Sequence, residues 1–344
     1  MNYHVTIGMP VYGVEKYIRK SLESALNQTF QGDIEFLMID DRGPDRSVDI
    51  IRELQNSHPR GKDIRIITQP HNMGCWAARN TILKEAKGKY LFLMDSDDYI
   101  SSDCIEILYQ AAEKYQVEAA YGSIQKVDDQ DNKIDVFQYD FRLFKQEDEL
   151  ASFANLKYQA TITNFIWNIL IRTDFLRNSH LQFPKTKFWD DVLFNADFQP
   201  LVKRAVLLPN LTYYYVIRDN SLSSYESRNV IKIEEIRHHF YNSEYLKRQC
   251  LEIKQKPYYE MRCAKEMLQS LYTVIGAFRN FDKITPRITN RELRDAMKHP
   301  IPLSEILRFK KRRKDNLFFY LMGALPTTLS IGMMKMVAKH KGLL

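Results

Sequence analysis

Along the first third of the chain, short apolar runs alternate with stretches whose apolar side chains recur at helical spacing. Residues 3–10 (YHVTIGMP), 35–41 (EFLMIDD), 64–69, 90–95 (YLFLMD) and 119–124 are rich in β-formers, and 35–41 and 90–95 are almost unbroken in apolar character. Between them lie 15–28, 47–56, 73–86 and 103–116. In these, sets such as Ile18, Leu22, Ala25 and Leu26, or Ile50, Ile51 and Leu54, share one helical face. Strands alternating with helices of this length predict βαβ units. Strands that are apolar throughout predict a sheet covered on both sides. The expected fold is therefore α/β: a Rossmann-like, mostly parallel sheet flanked by helices. Beyond residue 125 the alternation loosens; 135–225 mixes short strands, helices and aromatic clusters, and 230–300 reads as mainly helical. The expected organisation is a domain over 1–225, with halves 1–125 and 126–225, followed by a helical C-terminal region over 226–344.

The end of the chain breaks the pattern. Residues 310–314 are five consecutive basic side chains (KKRRK), and 316–334 then run nineteen positions without a charge. That length reaches the range of a membrane-spanning helix. However, Gly323, Pro326, Thr327, Thr328, Ser330 and Gly332 interrupt it, and Lys335, Lys339 and Lys341 follow. Lysines on both flanks favour a segment lying in the membrane interface over one packed in the fold or one that crosses.

Composition sharpens this reading. Of 344 residues, 44% are hydrophobic and 27% charged, which excludes a disordered chain. The net charge is +7; the last 44 residues hold nine basic and two acidic side chains, whereas the first 300 hold 41 of each. A neutral body argues against nucleic acid as a partner. A basic tail of 310–344 suits an anionic surface. The four cysteines form no CxxC element, and residues 1–10 lack the basic start and long apolar run of a secretory signal. Both point to a reduced, cytosolic protein.

In an open parallel sheet, ligands bind at the carboxyl ends of the strands. Here those ends carry Pro10-Val11-Tyr12, Asp40-Asp41 and Asp95-Ser96-Asp97-Asp98. A single strand-end acid is ordinarily a helix cap, which accounts for Asp103 and Asp45. Five carboxylates at two strand ends call for a cation, and hard oxygen ligands select Mg²⁺ or Mn²⁺, often together with substrate phosphates.

These segments in order, PVYGVEKYI, FLMIDDRGPDRS, NMGCWAARN and YLFLMDSDDYI, resemble the successive motifs of family 2 glycosyltransferases with the GT-A fold, over roughly residues 3–125. The resemblance implies a nucleotide-sugar donor bound by the first half and an acceptor by the second. Pro10, Val11, Tyr12 and Glu15 resemble the first nucleotide loop. Asp40 and Asp41 resemble the acids at base and ribose, and Arg79 and Asn80 the pair beside the diphosphate and sugar. Asp95, Ser96 and Asp97 resemble the DxD element, with Asp97 and Asp95 as metal ligands, while Asp98 assists or caps the next helix. Arg42-Gly43-Pro44-Asp45 departs from the usual Gly-Ser-Thr-Asp, and Thr81 and Ile169 depart from the usual glycine and lysine. Trp167-Asn168 resembles a segment shaping the acceptor side, and Arg218 with Ser221 resembles a strand and loop over the diphosphate. Tyr213 and Tyr214 read as packing residues, and His238-His239 as surface residues.

Sugar transfer also needs a base to take the proton of the acceptor hydroxyl. Phe188-Trp189-Asp190-Asp191 resembles the family's acidic pair, with Asp191 as the base and Asp190 as its neighbour. A helix N-terminus with two stabilising acids is the plainer reading of the same residues. The implied function is a metal-dependent, inverting transfer of one sugar, with UDP the commonest nucleotide, to a glycan or lipid-linked acceptor in surface polysaccharide synthesis. The expected location is cytoplasmic, peripheral to the inner face of the plasma membrane. A catalytically inactive scaffold and a sugar nucleotidyltransferase are the alternatives. The second would want a glycine- and basic-rich loop after the first strand, which PVYGVEKY is not. A nicotinamide dehydrogenase would need GxGxxG there, and a processive synthase several spanning helices.

Overall fold

A computed structural model describes residues 3–218 and 228–344. The chain divides into two compact units, one built from Met1–Leu150 and Thr163–Arg218, the other from Ala151–Ile162 and Asp219–Leu344. The boundary expected at 225 lies outside the described residues, as does Ser221.

The first unit is organised on a ten-stranded sheet. β1 (Tyr3–Val11), β2 (Ile34–Asp40), β3 (Ile64–Thr68) and β4 (Gly88–Leu93) run parallel in the order β3-β2-β1-β4. They are linked by α1 (Ile18–Leu26), α2 (Ser47–Ser57) and α3 (Cys75–Glu85). Every residue of β2 is buried, as a strand covered on both faces must be. Val5, Ile7 and Met9 of β1 form one core with Phe36 and Met38 of β2 and with Ile18, Leu22 and Ala25 of α1.

Past β4 the sheet becomes mixed. The chain continues through β5 (Tyr99–Ile100), α4 (Cys104–Tyr115), β6 (Ala119–Val127), β7 (Lys133–Phe137), β8 (Arg142–Phe144) and α5 (Glu149–Ala154). Then come β9 (Ile169–Arg172), α6 (Thr173–Ser179), α7 (Asp190–Phe198) and β10 (Ala205–Val216). The strand expected at 119–124 is present as β6 but does not lie beside β4. β9 sits between them, antiparallel to both. Its four residues, ILIR, are too short to stand out by periodicity within an irregular stretch. β10 then returns parallel to β6 and antiparallel to β5.

This register positions the acids. Val11 lies opposite Asp40, and Gly8 opposite Leu93. The ladder extends one step further on each side. The Asp41 N–H donates to the Val11 carbonyl at 3.0 Å, and the Met94 N–H donates to the Gly8 carbonyl at 3.0 Å. Residues 40–41 and 95–98 therefore emerge from the two neighbours of a single strand. The far end of 95–98 is fixed as well, because β5 pairs Tyr99 with Tyr214 of β10. α3 approaches β1 at Gly8, where a Cβ would lie 2.4 Å from Ile82 Cγ2.

The second unit is mainly helical, with a two-stranded sheet of β11 (Ile231–Lys232) and β12 (Ile284–Thr285). Its helices are α8 (Ile233–Glu252), α9 (Tyr259–Arg279), α10 (Asn290–Asp295), α11 (Leu303–Ile306), α12 (Arg313–Ala324) and α13 (Thr327–His340). Met267, Leu271 and Val274 of α9 pack with Phe319 and Met322 of α12 and Met334 and Ala338 of α13. The uncharged stretch 316–334 is thus two helices separated at Leu325-Pro326, each burying one face. No helix among the described residues is long and apolar enough to cross a membrane. His239, expected at the surface, is buried on the inner face of α8, and burial holds its imidazole down to about 4. All four cysteines are free.

Gly8→Ala is expected to lower stability by about 1–3 kcal/mol, since α3 must shift to admit the methyl group. A thermal midpoint equal to that of the parent protein would contradict this packing.

Candidate functional site

The loop after β4 gathers three carboxylates. One oxygen from each of Asp95, Asp97 and Asp98 lies within 4.8 Å of the others. Asp98 is buried and accepts from the Tyr213 hydroxyl at 2.8 Å and the Val216 N–H at 2.8 Å. It does not cap the next helix, whose N-cap position is Asp103. The Tyr213 hydroxyl in turn accepts the Asp95 N–H at 3.2 Å, while its ring stacks on Trp167 at 4.6 Å. Asp97 pairs with Arg218, whose guanidinium lies over the Tyr17 ring at 4.9 Å.

Burial, then the neighbouring Asp95, push the Asp97 carboxyl upward, against the pull of Arg218. Asp98 is held well above the usual carboxylate range by burial, then by Asp97 and Asp95. A partly buried cluster of hard oxygens fits Mg²⁺ or Mn²⁺. Asp95 and Asp97 would hold the ion, because both oxygens of Asp98 already accept hydrogen bonds from β10.

Arg79 ties this loop to α7. Its Nη2 donates to Asp95 at 2.7 Å and its Nη1 to Asp190 at 2.8 Å, with both Arg79 and Asp190 buried. Burial works against the guanidinium charge, but the surrounding carboxylates hold it firmly protonated. Asp190 and Asp191 open α7 after Trp189, which adopts a left-handed conformation (φ 62°) that a bulky residue rarely takes. That turn places both acids at the helix N-terminus, where the dipole favours negative charge. Asp191 accepts the Val192 N–H at 2.9 Å. Burial pushes its carboxyl up to about 7, against the pull of Arg79 and with the push of Asp190 and Asp95. A carboxyl so tuned can exchange a proton near neutral pH.

The remaining predicted residues serve the frame in different ways. The Val11 side chain is buried in the core and its carbonyl accepts the Asp41 N–H, whereas Tyr12 is exposed and Pro10 half-buried. Glu15 accepts the Arg46 N–H at 2.8 Å, and its own N–H donates to Asp45 at 2.9 Å, clasping the 42–46 loop to the end of β1. Asp45 also accepts the N–H and hydroxyl of Ser47 at the start of α2, although the N-cap position expected for it is held by Arg46.

Asp40 accepts the Arg42 N–H at 2.9 Å. Arg42 has φ 60°, which explains why glycine is usual at this position in the resembling family. Both oxygens of Asp41 are committed, to the N–H groups of Met73 (2.7 Å) and Gly74 (2.8 Å), and so fix the start of α3. Gly74 takes φ 92° there, open to glycine alone among common residues. The Asn80 amide is likewise committed to both backbone groups of Phe183, at 3.0 and 2.7 Å. Ser96 is buried within the acidic loop. Asn168 is buried and bonds Gly122, Ser123 and Thr212, joining β6 to β10 below Tyr213.

Sequence reasoning missed two features of this site. Tyr213, read as packing, also orients Asp95 and Asp98 through its hydroxyl; a tyrosine where phenylalanine would pack equally well was the only signal. The Arg79–Asp190 pair spans 111 residues and left no local signature.

Residues 6–174 match the model for "Glycosyl transferase family 2", and that stretch of the chain is a domain of that family. It is 31% identical over 228 residues to the glycosyltransferase GlyA of Streptococcus pneumoniae, covering 64% of this chain and 31% of that protein. It is 29% identical over 220 residues to the uncharacterized glycosyltransferase EpsJ of Bacillus subtilis, covering 64% and 62%. The chain therefore spans less than two thirds of the length of either relative. Among solved structures, Staphylococcus aureus TarS 1–349 in complex with UDP-GlcNAc aligns with a TM-score of 0.61 at 18% identity, covering 93% of this chain and 90% of that one. That is a likeness of fold, and it matches the mixed α/β GT-A architecture described above.

Arg79→Met leaves Asp190 and Asp95 without their shared partner and is expected to cost about 3–5 kcal/mol. Adding Asp190→Asn should recover part of that loss. Two additive penalties in unfolding experiments would show that the pair is not coupled.

Proposed function

We propose that this protein transfers one sugar from a nucleotide sugar, with UDP as the nucleotide, to a hydroxyl of a glycan or lipid-linked acceptor. The transfer proceeds with inversion and serves cell-surface polysaccharide synthesis. The observation that carries this reading is the Arg79 bridge. It couples the acidic loop, suited to a diphosphate and its counter-ion, to the turn bearing Asp191, suited to proton removal. The UDP-GlcNAc held by TarS supports the choice of nucleotide.

In this reading the donor lies across the carboxyl ends of β1, β2 and β4, with Arg218 offering a guanidinium to its phosphates. Asp95 and Asp97 would hold a divalent ion, which would supply neutralising charge to the diphosphate leaving group. Asp191 accepts the proton of the acceptor hydroxyl. The hydroxyl oxygen bonds to the anomeric carbon as the bond from that carbon to the phosphate oxygen breaks, and the electron pair leaves with the nucleoside diphosphate. Attack from the face opposite the leaving group inverts the centre. Asp190 acts on Asp191 indirectly, by holding the first turn of α7 on Arg79. Tyr213 and Asp98 hold the acidic loop in the same sense.

A thermal-shift panel of nucleotide sugars with and without Mn²⁺ tests the donor. One donor should raise the midpoint in a Mn²⁺-dependent manner, and a flat response to every donor would contradict the reading. Asp191→Asn should lower kcat by about 10²–10⁴ while the donor Kd stays unchanged; near-normal turnover would mean that another group is the base.

The same residue sets the pH profile. Its folded pKa lies above the ordinary carboxylate value, and the active form is the deprotonated one. kcat/KM for the acceptor should therefore fall as pH drops below about 7. An acid limb near 4 would contradict this environment for Asp191.

A further inference from the structure

We propose that the outer faces of α12 and α13 dock this protein on an anionic phospholipid bilayer, lying on the surface without crossing it. This inference concerns the helical unit alone and does not depend on the transferase reading. The two helices pack on each other and on α9 through an inner face of Phe319, Met322, Ile331, Met334 and Ala338. Asn316 anchors that face, donating to the Glu260 carbonyl at 3.2 Å and bonding His299 at 3.0 Å. The 316–334 stretch is therefore held in the fold and is not free to insert as one span.

What the fold leaves outside is apolar at helical spacing. On α12, Phe318 and Leu321 are 38% and 46% exposed; on α13, Leu329 and Met336 are 60% and 71% exposed. Each pair lies three or seven residues apart, so each helix presents an apolar edge to solvent.

The basic residues frame those edges. Lys310, Lys311, Arg312, Arg313 and Lys314 are all exposed at the start of α12, and Lys335, Lys339 and Lys341 are exposed along and after α13. Arg312 pairs with Asp315 and rests on the Tyr158 ring. The Lys310 and Lys311 N–H groups bond Glu260, fixing the backbone of the run while its side chains face solvent. Apolar edges set among cations match an anionic lipid interface, where the acyl boundary takes the leucines and the headgroups take the lysines. A second copy of this chain would bring two basic rims together, a repulsive arrangement.

Sedimentation of the full chain with phosphatidylcholine vesicles, with and without phosphatidylglycerol, tests this. Binding should require the anionic lipid and fall in high salt. Combining Lys310→Gln, Lys311→Gln, Arg313→Gln and Lys314→Gln should weaken it by about a hundredfold or more. Leu329→Asp with Met336→Asp should also weaken it, with circular dichroism and the thermal midpoint unchanged because both residues are exposed. Absence of binding to anionic vesicles, or binding that neither set of changes reduces, overturns the proposal. So does a dimer in solution that Leu329→Asp dissociates.

Discussion

The structure of the site depends on buried and half-buried carboxylates that cannot stand together without positive charge. Asp95, Asp97, Asp98, Asp190 and Asp191 come from two segments of chain, and the chain itself supplies two counter-ions. Arg79 reaches Asp95 on one side and Asp190 on the other, while Arg218 reaches Asp97. Placing an unpaired charge in such surroundings costs several kcal/mol, so the positions of the β4 loop, α3 and α7 are mutually dependent. Arg79 can serve both acids only because α3 sits tight on β1 at Gly8 and begins where Asp41 fixes Gly74.

The acids divide into two groups by what their oxygens already do. Asp41 and Asp98 are spent on N–H groups and a hydroxyl, and they hold the frame. Asp95 and Asp190 share Arg79, Asp97 pairs with Arg218, and burial pushes the Asp191 carboxyl up to about 7 at the head of α7. A frame of satisfied carboxylates around a few reactive ones gives a rigid site whose electrostatics are set before any substrate arrives.

Much of the first unit was legible because its strands are continuous apolar runs and its helices are amphipathic. β1 to β4 and α1 to α4 fall within a few residues of where periodicity puts them. β9 was not legible, since four residues in an irregular stretch carry no period, yet it separates β4 from β6. The site was legible where chemistry shows in the residue types themselves, as in Asp95-Ser96-Asp97-Asp98 and Asp190-Asp191. It was not legible where the partner is distant in sequence. Asn80 fastens the Phe183 backbone 103 residues away, and Tyr213, packed as expected, also orients two acids through its hydroxyl. The uncharged stretch 316–334 illustrates the same limit: composition alone resembles a span, whereas Pro326 and the buried Asn316 make it two packed helices.

On the proposed reading, the β4 loop binds a divalent ion together with a nucleoside diphosphate. Calorimetric titration of Mn²⁺ into the protein, alone and with saturating UDP, tests it directly in the parent chain and in Asp97→Asn. Mn²⁺ binding should tighten at least tenfold with UDP and be lost in Asp97→Asn. Equal Mn²⁺ affinity with and without UDP, or affinity untouched by the substitution, would contradict it.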